Sequence, residues 1–161
     1  MSQGLITHHF GEVSALSAYA FELMWGGIFQ AITAAIDAAP NNPRARLDAC
    51  IDASFSPAIF DQDVLAIWVV FWGLILHSAK MSAAQRGEYS TYVRNIEQLL
   101  ADLASAEGFS IRDTRLAAIA FTALLDGLWL AWCLNPSVFS PAEGMNVCRQ
   151  WVEGLRRGAH A

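Results

Sequence analysis

The chain has 161 residues, of which 55% are apolar and only 16% charged, with a formal net charge of -5 and a mean hydropathy of +0.33. That length suits one domain with a real core, and the apolar balance predicts that part of its surface is buried against a partner. The largest Lys/Arg cluster is Arg156-Arg157 and Lys80 is the single lysine, so the basic footprint of a nucleic-acid binder is missing. Cys50, Cys133 and Cys148 are odd in number and far apart, with no CxxC or zinc spacing. A disulfide framework is not expected, and a reducing, cytoplasmic location is. No basic segment followed by an apolar run opens the chain, so no signal peptide is expected.

In chain order the punctuation predicts helices throughout, with no alternating run of the strand type. Residues 1–11, Met1-Ser-Gln-Gly-Leu-Ile-Thr-His-His-Phe-Gly11, form a short amphipathic helical stub stopped by glycine. A helix is predicted from about Ser14 to Ala38, ended by Pro40. Asn42-Pro43 pairs an N-cap with an N1 proline and opens a helix to about Ser54, before Pro57. Asp61 caps a helix running to about Lys80, and Ser82-Ala-Ala-Gln85 is a capping box for one ending near Gly108. Ser110-Ile-Arg-Asp113 opens a helix to Leu134, before Asn135-Pro136. Ser140-Pro141-Ala-Glu143, the clearest start in the chain, opens the last helix, which ends near Gly158. The prediction is all-α: about six helices plus the stub.

Two segments have a membrane-like composition. Val64 to Leu76 is continuously apolar but shorter than the roughly 20 residues a span needs. Leu116 to Leu134 is long enough but carries Asp126 near its centre, and a carboxylate there is costly in lipid. A membrane protein is not expected.

The run Ser2-x-Gly4-Leu5-Ile6-x-x-His9-Phe10 resembles the end of the DNA-recognition helix of TetR/AcrR-family transcriptional regulators. From Arg44 onward the order of features resembles the C-terminal domain of the BetI-type members. The matching pieces are Arg44-x-x-Leu47, Ile51-Asp-Ala-x-Phe55, Phe60, Ala66-Ile-Trp68-x-x-Phe71-Trp72, Tyr92-x-x-Asn95 and Leu124-Leu-Asp-Gly127-Leu-Trp129-Leu. The resemblance implies a TetR-like fold, a homodimer through the last two helices and a small-molecule pocket; BetI-type proteins respond to choline. It implies residues 1–13 as a recognition-helix remnant, most of the helix-turn-helix being absent before it, and 14–161 as the effector-binding and dimerisation domain. With a complete head, Ser2, Gln3, Gly4, Thr7 and His9 fall where the family contacts DNA. The chain departs from the family where Phe-x-Ser-Lys-Glu is usual: it has Phe10-Gly-Glu12-Val13-Ser14, with Val13 in place of the phosphate-gripping lysine.

Trp68, Phe71 and Trp72 share one helical face, and Phe121, Leu125 and, adjoining them, Trp129 another. Aromatic faces hold a quaternary ammonium by cation–π attraction, worth ~0.5–2 kcal/mol per ring. Asp126 offers a counter-charge, and Tyr92 or Tyr89 a polar handle. The competing reading is that these rings are ordinary core and that Asp126 pairs with an arginine such as Arg94 or with a helix-end amide. Ala120, Ala123, Gly127 and Ala131 form a ridge of small residues, and Val147, Cys148, Trp151 and Leu155, with Gly144, a stripe on the last helix. Two such helices from each of two copies make a four-helix bundle, with Trp151 as an anchor; the alternative is that both stripes pack inside one subunit.

No Gly-rich phosphate loop, His-x-x-x-His pair, G-x-S-x-G or Cys-His couple occurs, so neither an enzyme nor a metal or cofactor site is expected. The expected function is a small-molecule-sensing, homodimeric transcriptional repressor with operator DNA as partner where the head is complete. The alternative is a non-DNA-binding helical dimerisation module that modulates an intact regulator.

Overall fold

The computed structural model describes the backbone of residues 3–158 and the side chains of residues 15–158. Six helices follow one another: α1 (Gln3–Ala38), α2 (Pro43–Ser54), α3 (Gln62–Ile75), α4 (Ala79–Glu107), α5 (Thr114–Leu134) and α6 (Pro141–Arg156). No strand occurs among the described residues.

The polar starts explain most boundaries. Asn42 Oδ1 accepts from the Ala45 N–H at 2.8 Å, with Pro43 in the first turn. Asp61 accepts from the N–H groups of Asp63 and Val64, and Asp113 from that of Leu116 at 2.9 Å. At Ser140 the reciprocal capping box is complete, with Glu143 accepting from the Ser140 N–H at 2.7 Å. Each such cap satisfies donors that a helix start leaves orphaned. Gly108 ends α4 in the left-handed region, at φ 71°.

Two boundaries differ from the sequence reading. The helix predicted from Ser14 is one continuous α1 from Gln3, and Gly11 does not stop it. A lone glycine inside a helix costs about 1 kcal/mol, and it ends one only where the chain turns at positive φ; among the described residues Gly108 and Gly158 do so. The predicted boundary between residues 13 and 14 therefore falls inside a helix. The second difference concerns α3 and α4. The α3 helix ends at Ile75 rather than near Lys80, and α4 begins at Ala79, capped by Ser78 rather than Ser82. Ser82 Oγ instead accepts from Arg86 Nη1 at 2.8 Å. The two helices meet at 120° across this break.

The α4 helix is the spine, contacting α1, α2, α3 and α5, while α6 closes against α2 and α5. Phe21, Leu47, Ile51, Ile96, Leu100, Leu103, Phe121, Leu125 and Val152 are fully buried between them. A buried polar bond crosses this core: Trp129 Nε1 donates to the Ser54 carbonyl at 3.1 Å. It takes up a carbonyl from the last turn of α2 and pins α5 to α2. The α5 helix, with a mean hydropathy of 1.7, is long and apolar enough to cross a membrane by length and composition; it carries Asp126 at its middle and packs one face on α4.

Candidate effector site

Four helices converge on a small aromatic box. Trp25 comes from α1, Trp68 and Trp72 from α3, Gln85 and Tyr89 from α4, and Asp126 and Trp129 from α5. Trp25 meets Trp68 edge-on at 5.1 Å, and Trp68 lies 6.3 Å from Trp72. Behind Trp25, Tyr92 closes the wall edge-on at 5.8 Å. Edge-to-face geometry of this kind is favourable for rings and fixes which faces turn inward. The box encloses about 20 Å³, room for about one water. Trp72, Gln85 and Tyr89 are partly exposed and form its mouth.

Among the described residues the charge in this box has no counter-charge. Asp126 Oδ2 accepts one long hydrogen bond, 3.5 Å, from the Tyr89 hydroxyl. Burial pushes its carboxyl up to about 6, against the smaller opposing effect of that bond. Arg94, the partner expected from the sequence, instead donates to Thr91 Oγ1 at 3.0 Å. The Tyr89 hydroxyl is raised by burial and then by the Asp126 charge; Tyr92, wholly buried, is raised well above its ordinary value by burial. Three more polar groups around the box are buried without a hydrogen-bond partner among the described residues: Trp25 Nε1, Trp68 Nε1 and the Tyr92 hydroxyl.

Of the expected pocket residues, Trp68, Trp72, Asp126 and Trp129 line the box and Tyr92 backs it. Phe71, Phe121 and Leu125 do not line it. Phe71 packs edge-on against Phe21 at 5.4 Å, Phe121 against Trp151 at 5.4 Å, and Leu125 is fully buried in the core. They share helical stripes with the lining residues, but the helix–helix seams take them. Trp25 and Tyr89 join from α1 and α4, and Gln85, which the sequence reading used as part of a cap, lies one turn before Tyr89 on the same face.

On the opposite side of α5 lies a bare apolar face. Ala120, Ala123, Gly127 and Ala131 are exposed, flanked by Leu116, Ile119 and Leu134. Val147 of α6 is exposed beside them and Trp151 half-buried. Two residues expected there are corrected: Cys148 and Leu155 are buried inside the subunit. Burial raises the Cys148 thiol to about 12 despite the nearby Arg149 charge. Gly144 likewise faces inward, where an added Cβ would come within 2.5 Å of Phe55 Cε1. The apolar stripe of α6 serves its own core first, and only its flank turns outward. An open groove of about 590 Å³ runs along the outer face, floored by Leu116, Ala120 and Trp151.

A charged cleft of about 680 Å³ joins α2, α4 and α6. Arg44 donates to both carboxylate oxygens of Glu107 at 2.8 Å and pairs with Glu153 at 2.9 Å. Arg149 pairs with Asp48 at 3.1 Å and with Asp52. The Arg44 hydrogen bond holds the Glu107 carboxyl below its ordinary value. These charges serve one another, so the cleft is a clamp between helices. Among the described residues no group of three His, Cys, Asp or Glu side chains is placed to hold a metal. The DNA-facing positions inferred from the resemblance, Ser2 and the side chains of Gln3, Gly4, Thr7 and His9, lie outside the described residues.

An all-helical body, with an aromatic box inside and a small-residue face outside, has the architecture of a TetR-type regulator's C-terminal part. Residues 43–157 match the family model described as BetI-type transcriptional repressor, C-terminal, and the chain belongs to that family. It is similar to the HTH-type transcriptional regulator BetI of Paraburkholderia phytofirmans, 27% identical over 153 residues, covering 95% of this chain and 76% of that protein. The BetI regulator of Serratia proteamaculans is 24% identical over 163 residues, covering 98% and 78%. A crystal structure of a protein assigned as a transcriptional regulator from Pseudomonas aeruginosa PAO1 matches with a TM-score of 0.87 at 39% identity, covering 99% of this chain and 77% of that one. These are transcriptional regulators, a non-enzymatic family.

Proposed function

We propose that this chain is the effector-sensing, dimer-forming body of a BetI-type transcriptional repressor and that its effector is a small organic cation of the quaternary ammonium class, such as choline. The observation that carries this reading is the unpaired Asp126 carboxylate beside an aromatic box. A buried carboxylate without a counter-charge is costly, and a cation held by ring faces supplies that charge without needing hydrogen-bond donors. The box encloses about 20 Å³, so the effector enters by displacing the mouth residues Trp72, Gln85 and Tyr89.

The second half of the reading is the homodimer. The α5 helix turns Asp126 and Trp129 inward and Ala123 and Gly127 outward. A ligand that draws on Asp126 therefore acts on the same rigid rod that meets the partner. In a dimer carrying DNA-binding heads, biasing α5 between two positions changes the spacing of the heads and releases the operator. Ser2, Gln3, Gly4, Thr7 and His9 are the positions we assign to DNA contact, and the cytoplasm is the compartment where this occurs.

The test is thermal unfolding with and without choline. Bound ligand stabilises by RT ln(1 + [L]/Kd), about 2.7 kcal/mol at a hundred times Kd. Choline is expected to raise the Tm of the wild-type chain and to leave that of Asp126→Asn unmoved. An equal rise in both, or in neither, refutes the assignment of Asp126 as the cation's counter-charge.

A further inference from the structure

The bare apolar surface does not end with α5. No charged side chain occurs on α3 from Val64 to its end at Ile75. Leu65, Trp68 and Phe71 serve the core, but the opposite side is just as apolar: Val70 is 60% and Ile67 48% exposed, with Ala66, Val69, Gly73 and Leu74 exposed beside them. A surface helix ordinarily turns charged residues away from the core, and one that is apolar all round is a buried helix. The two outer faces are continuous, because Val69 of α3 and Leu130 of α5 line one shallow dent between the helices. Lipid is a poor cover. The 14 residues of α3 are too few to span a bilayer. A helix lying on a membrane surface carries lysines and arginines on its polar side, whereas α3 has none and opens with Asp63.

The area a dimer needs points to the occupant. A stable interface buries about 800 Å² per partner, of which on the order of 450 Å² is apolar. A half-exposed aliphatic side chain offers roughly 50 Å². On α5 and α6 the large aliphatic side chains that face outward are Leu116, Ile119, Leu134 and Val147. The ridge between them is alanine and glycine, and α6 also exposes Glu143, Asn146 and Gln150. That face alone falls well short, and Ile67, Val69, Val70 and Leu74 of α3 double its count of large aliphatics. We propose that the interface between copies runs from α5 onto α3, so that a second copy of this chain covers the outer face of α3. This rests on the homodimer reading above and adds to it a helix that the sequence reading left out. It also gives α3 two roles: Trp68 and Trp72 wall the box from its inner side while its outer side meets the partner, so displacing Trp72 at the mouth reaches the partner through one helix.

Sedimentation equilibrium of the full chain tests this with Val70→Lys on α3, Gly127→Leu on α5 and Leu23→Lys on α1, where Leu23 is exposed but lies off the proposed face. An unpaired charge buried in an apolar interface is costly, so Val70→Lys should weaken the dimer roughly 10-fold or more, while Leu23→Lys leaves it unchanged. Circular dichroism checks that each variant is folded, and Val70→Ser stands in if Val70→Lys is not. A Val70→Lys dimer as tight as the wild type, with Gly127→Leu monomeric, overturns the α3 contact and leaves the α5 dimer standing. Equal weakening by Leu23→Lys overturns it as well. A wild-type tetramer that Val70→Lys cuts to a dimer puts a copy on α3 through a separate interface and overturns the continuous one. A wild-type chain that stays monomeric overturns both readings, and flotation of that monomer with phosphatidylglycerol vesicles would put lipid on α3 instead.

Discussion

Replacing Asp126 by asparagine should stabilise the ligand-free protein. The carboxyl is raised from 3.8 to about 6 by burial, so the folded chain holds a proton that the unfolded chain releases. For such a group stability is greatest at low pH and declines as pH rises from its ordinary pKa through its folded one. A shift of about two units corresponds to about 3 kcal/mol at pH 7.5. Asparagine keeps the shape and the contact with Tyr89, and lacks the charge. Allowing for an imperfect replacement, the expected gain is about 2 kcal/mol, or roughly 4–8 °C in Tm for a domain of this size. Scanning calorimetry on both proteins at pH 7.5 and pH 5 measures it. By linkage the gain should shrink to on the order of half at pH 5, where the wild-type carboxyl is mostly protonated in the fold. A variant no more stable than the wild type at pH 7.5, or a gain that ignores pH, would refute the reasoning. The groups that face Asp126 from α4, Tyr89 and Tyr92, have raised pKa values and stay neutral across this range. Stability gained at the cost of ligand binding is the usual trade-off at a binding site.

Two glycines give contrasting tests. Gly144→Ala puts a Cβ 2.5 Å from Phe55 Cε1 and 3.0 Å from Phe139 Cε2; overpacking of this kind costs about 1–3 kcal/mol, and urea unfolding should show a lowered midpoint with an unchanged slope. At Gly127 an added Cβ meets nothing within 4 Å in its own subunit, so Gly127→Leu should leave the secondary structure and monomer fold intact while light scattering reports loss of the dimer proposed above. A Gly127→Leu protein that remains dimeric removes this ridge from the interface.

The helix starts were readable from short-range chemistry. Asn42-Pro43, Asp61 and Ser140-Pro141-Ala-Glu143 need only their own neighbours to act, and each caps the helix predicted for it. The α3–α4 break was not readable in the same way, because Ser78 and Ser82 both offer a capping hydroxyl and the apolar run continues through Leu76. What separates them is a tertiary requirement, the 120° turn that brings both helices onto α5. The box shows the same division. Spacing placed Trp68 and Trp72 on one face and Asp126 and Trp129 on a neighbouring helix. It could not tell a wall from a seam, so Phe71 and Phe121 shared stripes with lining residues. Tyr89, one of the two polar handles the sequence offered, lines the box and Tyr92, the other, backs it; Trp25 and Gln85 belong to it because α1 and α4 cross there, and nothing local marks that crossing. On α6 the period was right and the direction was not: Cys148 and Leu155 lie on the stripe that the subunit's own core takes up.

The α5 helix connects the two halves of the account. Asp126 faces the box and its neighbour Gly127 faces solvent, one residue apart on a rod held to α2 by the Trp129–Ser54 bond. If ligand shifts the dimer equilibrium by some factor, dimerisation must shift ligand affinity by the same factor.

The most direct test of the central claim is isothermal titration of the wild-type chain with choline at pH 7.5, where Asp126 is ionised. The account predicts saturable binding at one choline per chain that is lost in Asp126→Asn. Absence of saturable heat, or binding that Asp126→Asn leaves unchanged, would contradict it.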